Sequence, residues 1–231
     1  MALNLKKRDL KQYDIEAHTD ISGSMSGTDT PTRQTRLEFA KGWVEKLVQE
    51  AAAFDDDGVT IGFFNGSTHV YENTTFDKVA STFKSVSPNG STDTARLIQE
   101  RTDDYLDQRL GKPGTKGGFF SKGTPATPAD PNTKPRIILV ITDGVPDDND
   151  ALEDVIVNVT KRMSAGGLTK NDLVISFIQV GNDGKAKQFL DELNNGLGAK
   201  GATMDIVGCI TCDEAKGLST QTLLEKALDA E

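Results

Sequence analysis

The sequence contains few of the residues that usually mark secreted scaffolds, zinc sites or hydrolase triads. Its 231 residues include two cysteines and two histidines. Two cysteines do not make a disulfide framework, and without a second pair they supply at most half of a four-ligand zinc site. The default compartment for such a chain is a reducing cytoplasm, and we expect a cytoplasmic location.

Long apolar runs and a basic excess are also absent. No run approaches the roughly 20 apolar residues of a membrane span. The polar, lysine-rich start, residues 1–9, is followed by no apolar segment of the kind that secretory signals carry. We therefore expect no membrane partner. The formal net charge of −9 argues against a nucleic-acid partner, because a phosphate backbone requires a basic face.

Apolar strand-like runs alternate with helical patterns along the chain. Strands are predicted at 13–19, 59–64, 68–71, 136–142, 173–180 and 204–207, and helices at 36–53, 76–86, 94–110, 147–163, 186–193 and 219–228. This order predicts a three-layer, doubly wound, Rossmann-like α/β fold, in which a mostly parallel sheet has one antiparallel edge strand.

The chain is predicted to form a single domain over residues 1–231. Residues 1–10 are interpreted as an amino-terminal arm. Residues 111–134 are rich in Gly, Pro, Thr and Lys and show little periodicity. This composition predicts a long surface loop between two elements of one sheet, so it is not taken as a domain boundary.

Three segments rich in oxygen donors lie where predicted strands end or helices begin. Asp20-Ile21-Ser22-Gly23-Ser24 follows the first strand, Gly90-Ser91-Thr92-Asp93-Thr94 precedes a helix, and Thr142-Asp143-Gly144 ends the most apolar strand. Open α/β sheets bind ligands at the carboxyl ends of their strands, so we expect these segments to meet at one edge. Hydroxyl and carboxylate oxygens suit a magnesium-like ion.

Together these segments resemble the von Willebrand factor A (vWA) domain family. The motifs Asp-x-Ser-x-Ser, Gly-Ser-Thr-x-Thr and Ile-Leu-Val-Ile-Thr-Asp-Gly occur in the family's order and spacing, over nearly the whole chain. The resemblance implies a metal-ion-dependent adhesion site (MIDAS) formed by Asp20, Ser22, Ser24, Thr92 and Asp143. It also implies that the hydroxyls bind the ion directly and that at least one carboxylate binds through water.

The resemblance further implies the metal and the branch of the family. Mg²⁺ is the expected ion, with Mn²⁺ or Ca²⁺ as alternatives. Thr-Asp-Gly-Val-Pro-Asp-Asp and Ile-Ser-Phe-Ile-Gln-Val-Gly-Asn-Asp are most similar to the soluble bacterial branch that is linked to tellurite-type stress operons.

A shell of neutral hydroxyls would leave the ion with much of its charge, so an open position would attract a carboxylate. We therefore expect a non-enzymatic, metal-dependent module that binds a protein partner through an Asp or Glu side chain of that partner. A monomer is the default oligomeric state. Two alternatives stay open: a metal-dependent hydrolase or phosphotransferase that uses the same residues, and a structural domain whose site is empty in the cell.

Two short patterns resemble enzyme motifs. Residues 23–27 match the Gly-x-Ser-x-Gly nucleophile elbow with Ser26 as nucleophile, but no histidine follows Asp143 as a triad of that fold requires. Asp20 could be an aspartyl nucleophile at a strand end. Such enzymes usually carry a second acid two residues later, where this chain has Ser22.

Three further patterns have simpler interpretations. Residues 196–201 match a dinucleotide-binding fingerprint, but they follow a predicted helix and are interpreted as its carboxy-terminal turn. Cys209 and Cys212 follow the last predicted strand and are predicted to lie in a loop as free thiols. His18, within the first strand, is predicted to be a packed strand residue and not a ligand.

Overall fold

The computed structural model describes residues 9–53, 58–114, 124–215 and 217–228. Most of the predicted arm (residues 1–8) and the middle of the predicted loop (residues 115–123) lie outside this part of the chain. The strands are β1 (Asp14–Asp20), β2 (Val59–Phe64), β3 (Thr68–Thr74), β4 (Arg136–Thr142), β5 (Leu173–Gln179) and β6 (Val207–Thr211). The helices are α1 (Arg36–Ala51), α2 (Phe76–Phe83), α3 (Thr94–Leu110), α4 (Asn149–Ala165), α5 (Gly184–Gly196), α6 (Cys212–Ala215) and α7 (Thr220–Leu228).

The six strands form one sheet in the order β3-β2-β1-β4-β5-β6. Every neighbouring pair is parallel except β2 and β3, which are antiparallel. This arrangement confirms the predicted α/β fold with a single antiparallel edge strand. The chain leaves β1 toward β2 on one side and returns to β4 on the other, so the strand order reverses between β1 and β4. Such a reversal opens a crevice at the carboxyl ends of the two strands.

Two apolar layers cover the two faces of the sheet. One layer contains Val44 of α1 and Leu224 of α7, and the other contains Leu97 of α3 and Ile156 of α4. All seven residues of β4 are buried, as expected for a central parallel strand with helices on both sides. Within the part of the chain that the structure describes, every helix is too short or too polar to span a bilayer.

Strand β1 carries ionisable side chains on its face toward α3. Glu16 accepts hydrogen bonds at 2.8 Å from Nε and Nη2 of Arg101, and its Oε1 lies 2.9 Å from Nη1 of Arg136. The His18 ring is fully buried, as predicted, and its Nε2 lies 2.8 Å from Oε2 of Glu16. Burial alone would raise the pKa of the Glu16 carboxyl, but Arg101, His18 and Arg136 hold that pKa well below its usual range.

The edge strand β3 is longer than predicted and irregular. Its register with β2 shifts between Val59 and Ile61, and Asn73 has a φ of 51° in the left-handed region. An extra residue of this kind forms a β-bulge, which increases the local twist of the strand. The bulge breaks the regular alternation of inward and outward side chains at this end of β3, which explains why the strand predicted from that alternation ended at residue 71.

The last strand differs from its prediction. The sequence predicted residues 204–207, whereas β6 covers Val207–Thr211. The Asp205 carboxylate accepts a hydrogen bond from the Val207 N–H at 3.2 Å, a local turn that delays entry into the strand. Gly208 and Cys209 interrupt the apolar run, so the pattern did not reveal the strand.

This shift corrects the placement of the two cysteines. Cys209 lies within β6, and Cys212 begins α6, so the two residues do not share the loop that was predicted. The Cys209 thiol is free, and its Sγ lies 3.2 Å from the Leu190 carbonyl oxygen. Burial raises the pKa of Cys209 to about 12, which disfavours the reactive thiolate. The side chain of Cys212 lies outside the described part of the chain.

The outer parts of the predicted loop at 111–134 come together. Lys112 and Thr127 form an isolated antiparallel bridge with N–H···O distances of 2.9 and 2.8 Å. Residues 124–132 are exposed, as expected for a surface segment. Residue 196 ends α5 and residues 197–201 form turns, in agreement with the interpretation as a helix end.

Gly62 of β2 provides a test of the packing beside β1. A Cβ atom at this position would lie 2.2 Å from Nδ1 of His18. Gly62→Ala should therefore displace the imidazole from Glu16 and lower the free energy of unfolding by about 1–3 kcal/mol in a urea titration. Gly42→Ala is the control, because no described atom lies within 4 Å of a Cβ there. Because Gly42 lies in a helix, Gly42→Ala should raise the free energy of unfolding by up to about 1 kcal/mol. Equal stability of the Gly62 variant and the parent would contradict this packing.

Candidate metal centre

The carboxyl ends of β1 and β4 lie side by side and bring two buried carboxylates into the crevice between them. Asp20 and Asp143 are both fully buried. The Ser22 N–H donates to Oδ1 of Asp20 at 2.6 Å, and the Thr142 hydroxyl donates to Oδ2 at 2.8 Å. Both oxygens of Asp20 therefore accept hydrogen bonds from neutral groups.

A chain of hydroxyls connects the first loop to Asp143. The hydroxyl oxygens of Ser22 and Ser24 are 3.0 Å apart, and the Ser24 hydroxyl donates to Oδ1 of Asp143 at 2.8 Å. A short 3₁₀ turn, Gly23–Ser26, contains Ser24 and has Ser22 as its N-cap, and the side chain of Met25 anchors this turn in the apolar core. The structure thus brings together four of the five predicted metal ligands: Asp20, Ser22, Ser24 and Asp143.

Thr92 is held through its backbone. Its N–H donates to Oδ2 of Asp147 at 2.9 Å, and its carbonyl oxygen accepts from the Asp147 N–H at 3.1 Å. The N-cap of α3 is Asp93, so Thr92 lies one residue before the cap and does not itself cap the helix. In the described residues, no hydrogen bond joins the Thr92 hydroxyl to the other four predicted ligands. The loop before Thr92 meets the first loop where the Gly23 N–H donates to the Gly90 carbonyl at 3.2 Å.

The electrostatics of the two acids differ. Burial raises the pKa of Asp20 to about 6; the hydrogen bonds from Ser22 and Thr142 oppose the shift, and the nearby Asp143 adds to it. Asp143 has a cationic partner, because Nη1 of Arg36 lies 2.6 Å from its Oδ2. In the absence of a cation, Asp20 is therefore the acid whose negative charge has no ionic partner among its direct hydrogen-bond contacts.

Sequence reasoning missed Arg36, Asp29 and Asp147 as parts of this site, and it named Thr142 only as a member of the third oxygen-donor segment. Nε and Nη2 of Arg36 donate to the two oxygens of Asp29 at 2.7 and 2.8 Å, so one guanidinium bridges Asp29 and Asp143. Arg36 is the first residue of α1. A positive charge is unfavourable at a helix amino terminus, so its position was a signal that a carboxylate lies nearby.

The donor set fits a hard divalent cation. The region gathers hydroxyls and buried carboxylates, the oxygen ligands that Mg²⁺ and Ca²⁺ prefer. A divalent ion beside Asp20 would also offset the cost of burying that carboxylate. No cluster of three or more His, Cys, Asp or Glu side chains suited to a metal occurs among the described residues. A metal centre in this part of the chain would therefore rely on hydroxyls.

The comparison with solved structures agrees with the architecture. The manganese-loaded TRAP protein of Plasmodium vivax superposes with a TM-score of 0.56 at 15% identity, over 89% of this chain and 70% of that chain. A von Willebrand factor type A protein from Catenulispora acidiphila gives 0.55 at 13% identity, over 93% and 42%. The chain has the fold of a vWA domain.

A third structure, a mutant of the PilB minor pilin from Streptococcus sanguinis, gives a TM-score of 0.59 at 10% identity and covers 99% of this chain. This chain spans 62% of the pilin and 42% of the Catenulispora protein, so it corresponds to part of each of those molecules. No protein-family profile matches the sequence, and no curated protein shows significant similarity to it.

The raised pKa of Asp20 predicts a pH-dependent stability of the metal-free vWA fold. The folded-state pKa of about 6 exceeds the ordinary value near 4. The folded state therefore retains the proton that the unfolded chain loses, and stability falls as the pH rises through this window. Asp20→Asn removes the ionisable group and with it this loss of stability. Relative to the parent, its free energy of unfolding should rise by roughly 2–3 kcal/mol between about pH 4 and pH 7. Urea titrations in EDTA at several pH values measure this difference, and a difference that does not change with pH would contradict the prediction.

Proposed function

We propose that this chain is a divalent-metal-dependent protein-binding module, in which a MIDAS ion binds a carboxylate of a protein partner. The observation that carries the proposal is the hydroxyl chain from Ser22 through Ser24 to Asp143, at the point where the strand order reverses. When bound, the ion would supply an electrophilic position for an anionic oxygen. The protein's part is to hold neutral oxygens toward it and to keep the two acids in place.

The hydrogen bonds support a division of roles between hydroxyls and acids. Both oxygens of Asp20 accept from Ser22 and Thr142, and both oxygens of Asp143 accept from Ser24 and Arg36. Carboxylates that are already engaged can steady an ion through charge and through bound water. The direct positions are thus proposed for Ser22, Ser24 and Thr92, in agreement with the MIDAS pattern that the sequence implies.

We propose Mg²⁺ as the ion, with Mn²⁺ or Ca²⁺ as alternatives. The TRAP protein, which has the same fold, was crystallised with manganese, which supports a divalent metal in general. A site of few direct carboxylates suits an ion that keeps some of its waters, as Mg²⁺ does.

The enzyme alternative, a hydrolase or phosphotransferase, has less support. Proton transfer needs an acid or base within hydrogen-bond reach of the reacting group. His18 is buried and bonded to Glu16, and the Ser26 hydroxyl donates to the Gly23 carbonyl at 2.8 Å. No histidine or lysine contacts the metal centre in the hydrogen bonds of the described residues. We therefore propose that the chain is not an enzyme.

We further propose a cytoplasmic role in the stress-related bacterial branch that the sequence resembles. Two acids of the Thr-Asp-Gly-Val-Pro-Asp-Asp motif make defined hydrogen bonds in the structure. Asp147 holds the backbone of Thr92, and the Asp148 side chain caps α4 by accepting from the Ala151 N–H at 2.9 Å. Both acids thus order the loops beside the metal centre, which supports a shared site architecture.

Two serines of one loop provide a matched test of the metal centre. The Ser24 hydroxyl belongs to the proposed ligand set, whereas the exposed Ser26 hydroxyl donates its hydrogen bond to the Gly23 carbonyl and not to that set. Ser24→Ala should weaken Mg²⁺ binding by about tenfold or more in isothermal titration calorimetry. Ser26→Ala should leave it unchanged. Equal binding by the two variants would show that the ion, if bound, lies elsewhere.

A capture experiment tests the partner. The parent chain, immobilised in Mg²⁺, should retain a protein from the source cell that EDTA releases, because the partner carboxylate completes the coordination of the ion. Asp143→Ala should retain much less. When the Asp and Glu residues of the captured protein are exchanged one at a time for Asn and Gln, one of these exchanges should abolish retention.

A turnover assay tests the enzyme alternative. Metal-dependent turnover of generic phosphate or ester substrates that disappears in Asp20→Asn would favour that alternative instead.

A further inference from the structure

The Arg36 side chain lies at the edge of the metal centre and bridges two acids on different loops. Its Nη1 lies 2.6 Å from Oδ2 of Asp143, and its Nε and Nη2 make a bidentate pair with Asp29. Nη1 also approaches the Ser24 carbonyl oxygen at 3.4 Å. The guanidinium therefore contacts an acid of the proposed shell and the backbone of one of its hydroxyl ligands.

The surroundings of this arginine hold it in a defined position. A Cβ atom at Gly181, whose φ is 83°, would lie 2.6 Å from Nε of Arg36, and one at Gly27 would lie 3.1 Å from it. Oδ2 of Asp29 also accepts a hydrogen bond from the Asn182 N–H at 2.9 Å, which connects the pair to the loop between β5 and α5. Two glycines and a fixed acid thus leave room for one guanidinium at this position.

The backbone of Arg36 is fixed as well. Its N–H donates to the Gly27 carbonyl at 2.8 Å, and the preceding Thr35 forms a capping box with Glu38 at the start of α1. The helix amino terminus adds further positive potential at this position. Arg36 thus places a positive charge next to Asp143, and Asp29 offsets that charge from the other side of the guanidinium.

We propose that Arg36 and Asp29 act as an opposed pair of charges that sets the metal affinity of this centre. Arg36 weakens binding of a divalent cation, because its charge repels the ion and occupies an oxygen of Asp143. Asp29 strengthens binding, because it neutralises Arg36. Both are positioning residues that act without touching the ion. The inference rests on the proposed metal centre.

This arrangement has a consequence for partner binding. A centre with attenuated affinity holds the ion weakly on its own, and an anionic oxygen from a partner supplies the missing negative charge. Binding of the ion and of the partner's carboxylate then reinforce one another, and the coupling is reciprocal. Arg36 would thereby make retention of the ion depend on the presence of an acidic partner.

Calorimetric titration of Mg²⁺ into four purified chains tests the proposal: the parent, Arg36→Gln, Asp29→Asn and the double variant. Arg36→Gln keeps an N–H donor for Asp143 but removes the charge. It should lower the dissociation constant by about tenfold, whereas Asp29→Asn should raise it by about tenfold, because one charge near an ion is removed in each case. The double variant should return to within about threefold of the parent, because it removes two opposite charges and leaves the net charge beside the ion unchanged.

A merely structural role predicts a different result. Loss of either partner would then loosen the loops, and both single variants would weaken Mg²⁺ binding, which overturns the proposal. Arg36→Lys retains the charge without the bidentate geometry and should stay within about threefold of the parent; a tightening that matches Arg36→Gln would overturn the role of charge. Thermal unfolding in EDTA confirms that each variant is folded before titration.

The outcomes separate this proposal from the proposed function. If the parent binds no Mg²⁺, Mn²⁺ or Ca²⁺, the metal centre is wrong and this inference falls with it. If the parent binds metal and the two single variants shift the dissociation constant in the same direction, the metal centre stands and the charge-pair proposal is wrong. Tighter binding by Arg36→Gln together with weaker binding by Asp29→Asn supports both, and the reverse pattern overturns the charge-pair proposal.

Discussion

The pairing of buried charge on β1 is the constraint on which the rest of the molecule depends. Glu16, His18 and Asp20 lie on one face of a strand with neighbours on both sides. An uncompensated buried charge is costly, so the two carboxylates need partners from outside β1. Glu16 obtains two arginines, and their ion pairs join β1, α3 and β4 at the amino end of the sheet. At the carboxyl end Asp20 receives only neutral donors, and that imbalance makes this end a place for a cation.

Much of this arrangement could be predicted from the sequence, because periodicity and turn residues report on local structure. β2, α3 and β4 have the predicted bounds, since each is a strongly patterned segment between clear breakers. The predicted ligands at the ends of β1 and β4 meet because parallel strands present their carboxyl ends at one edge. The order of strands and helices along the chain, together with this rule for parallel sheets, was enough to predict that these ligands lie close together.

The remaining features depend on contacts between distant segments. The position of Arg36 at a helix start indicates that a carboxylate lies nearby, but it does not say which one, and only the fold places Arg36 between Asp29 and Asp143. Asp147 was assigned to a helix, yet it lies before α4 and holds Thr92. β6 was misplaced because its apolar run contains Gly208 and Cys209. The contacts of Arg36 with Asp143 and of Thr92 with Asp147 join residues 107 and 55 positions apart, and local patterns carry no information about them.

The irregular edge strand has a consequence for how the molecule meets its neighbours. An exposed edge offers unpaired backbone groups to any other strand, which is a common route to aggregation. The bulge at Asn73 twists β3 and breaks its regular ladder, so a second copy would find no straight edge along which to add its own strand. On this side of the sheet, the backbone itself discourages self-association.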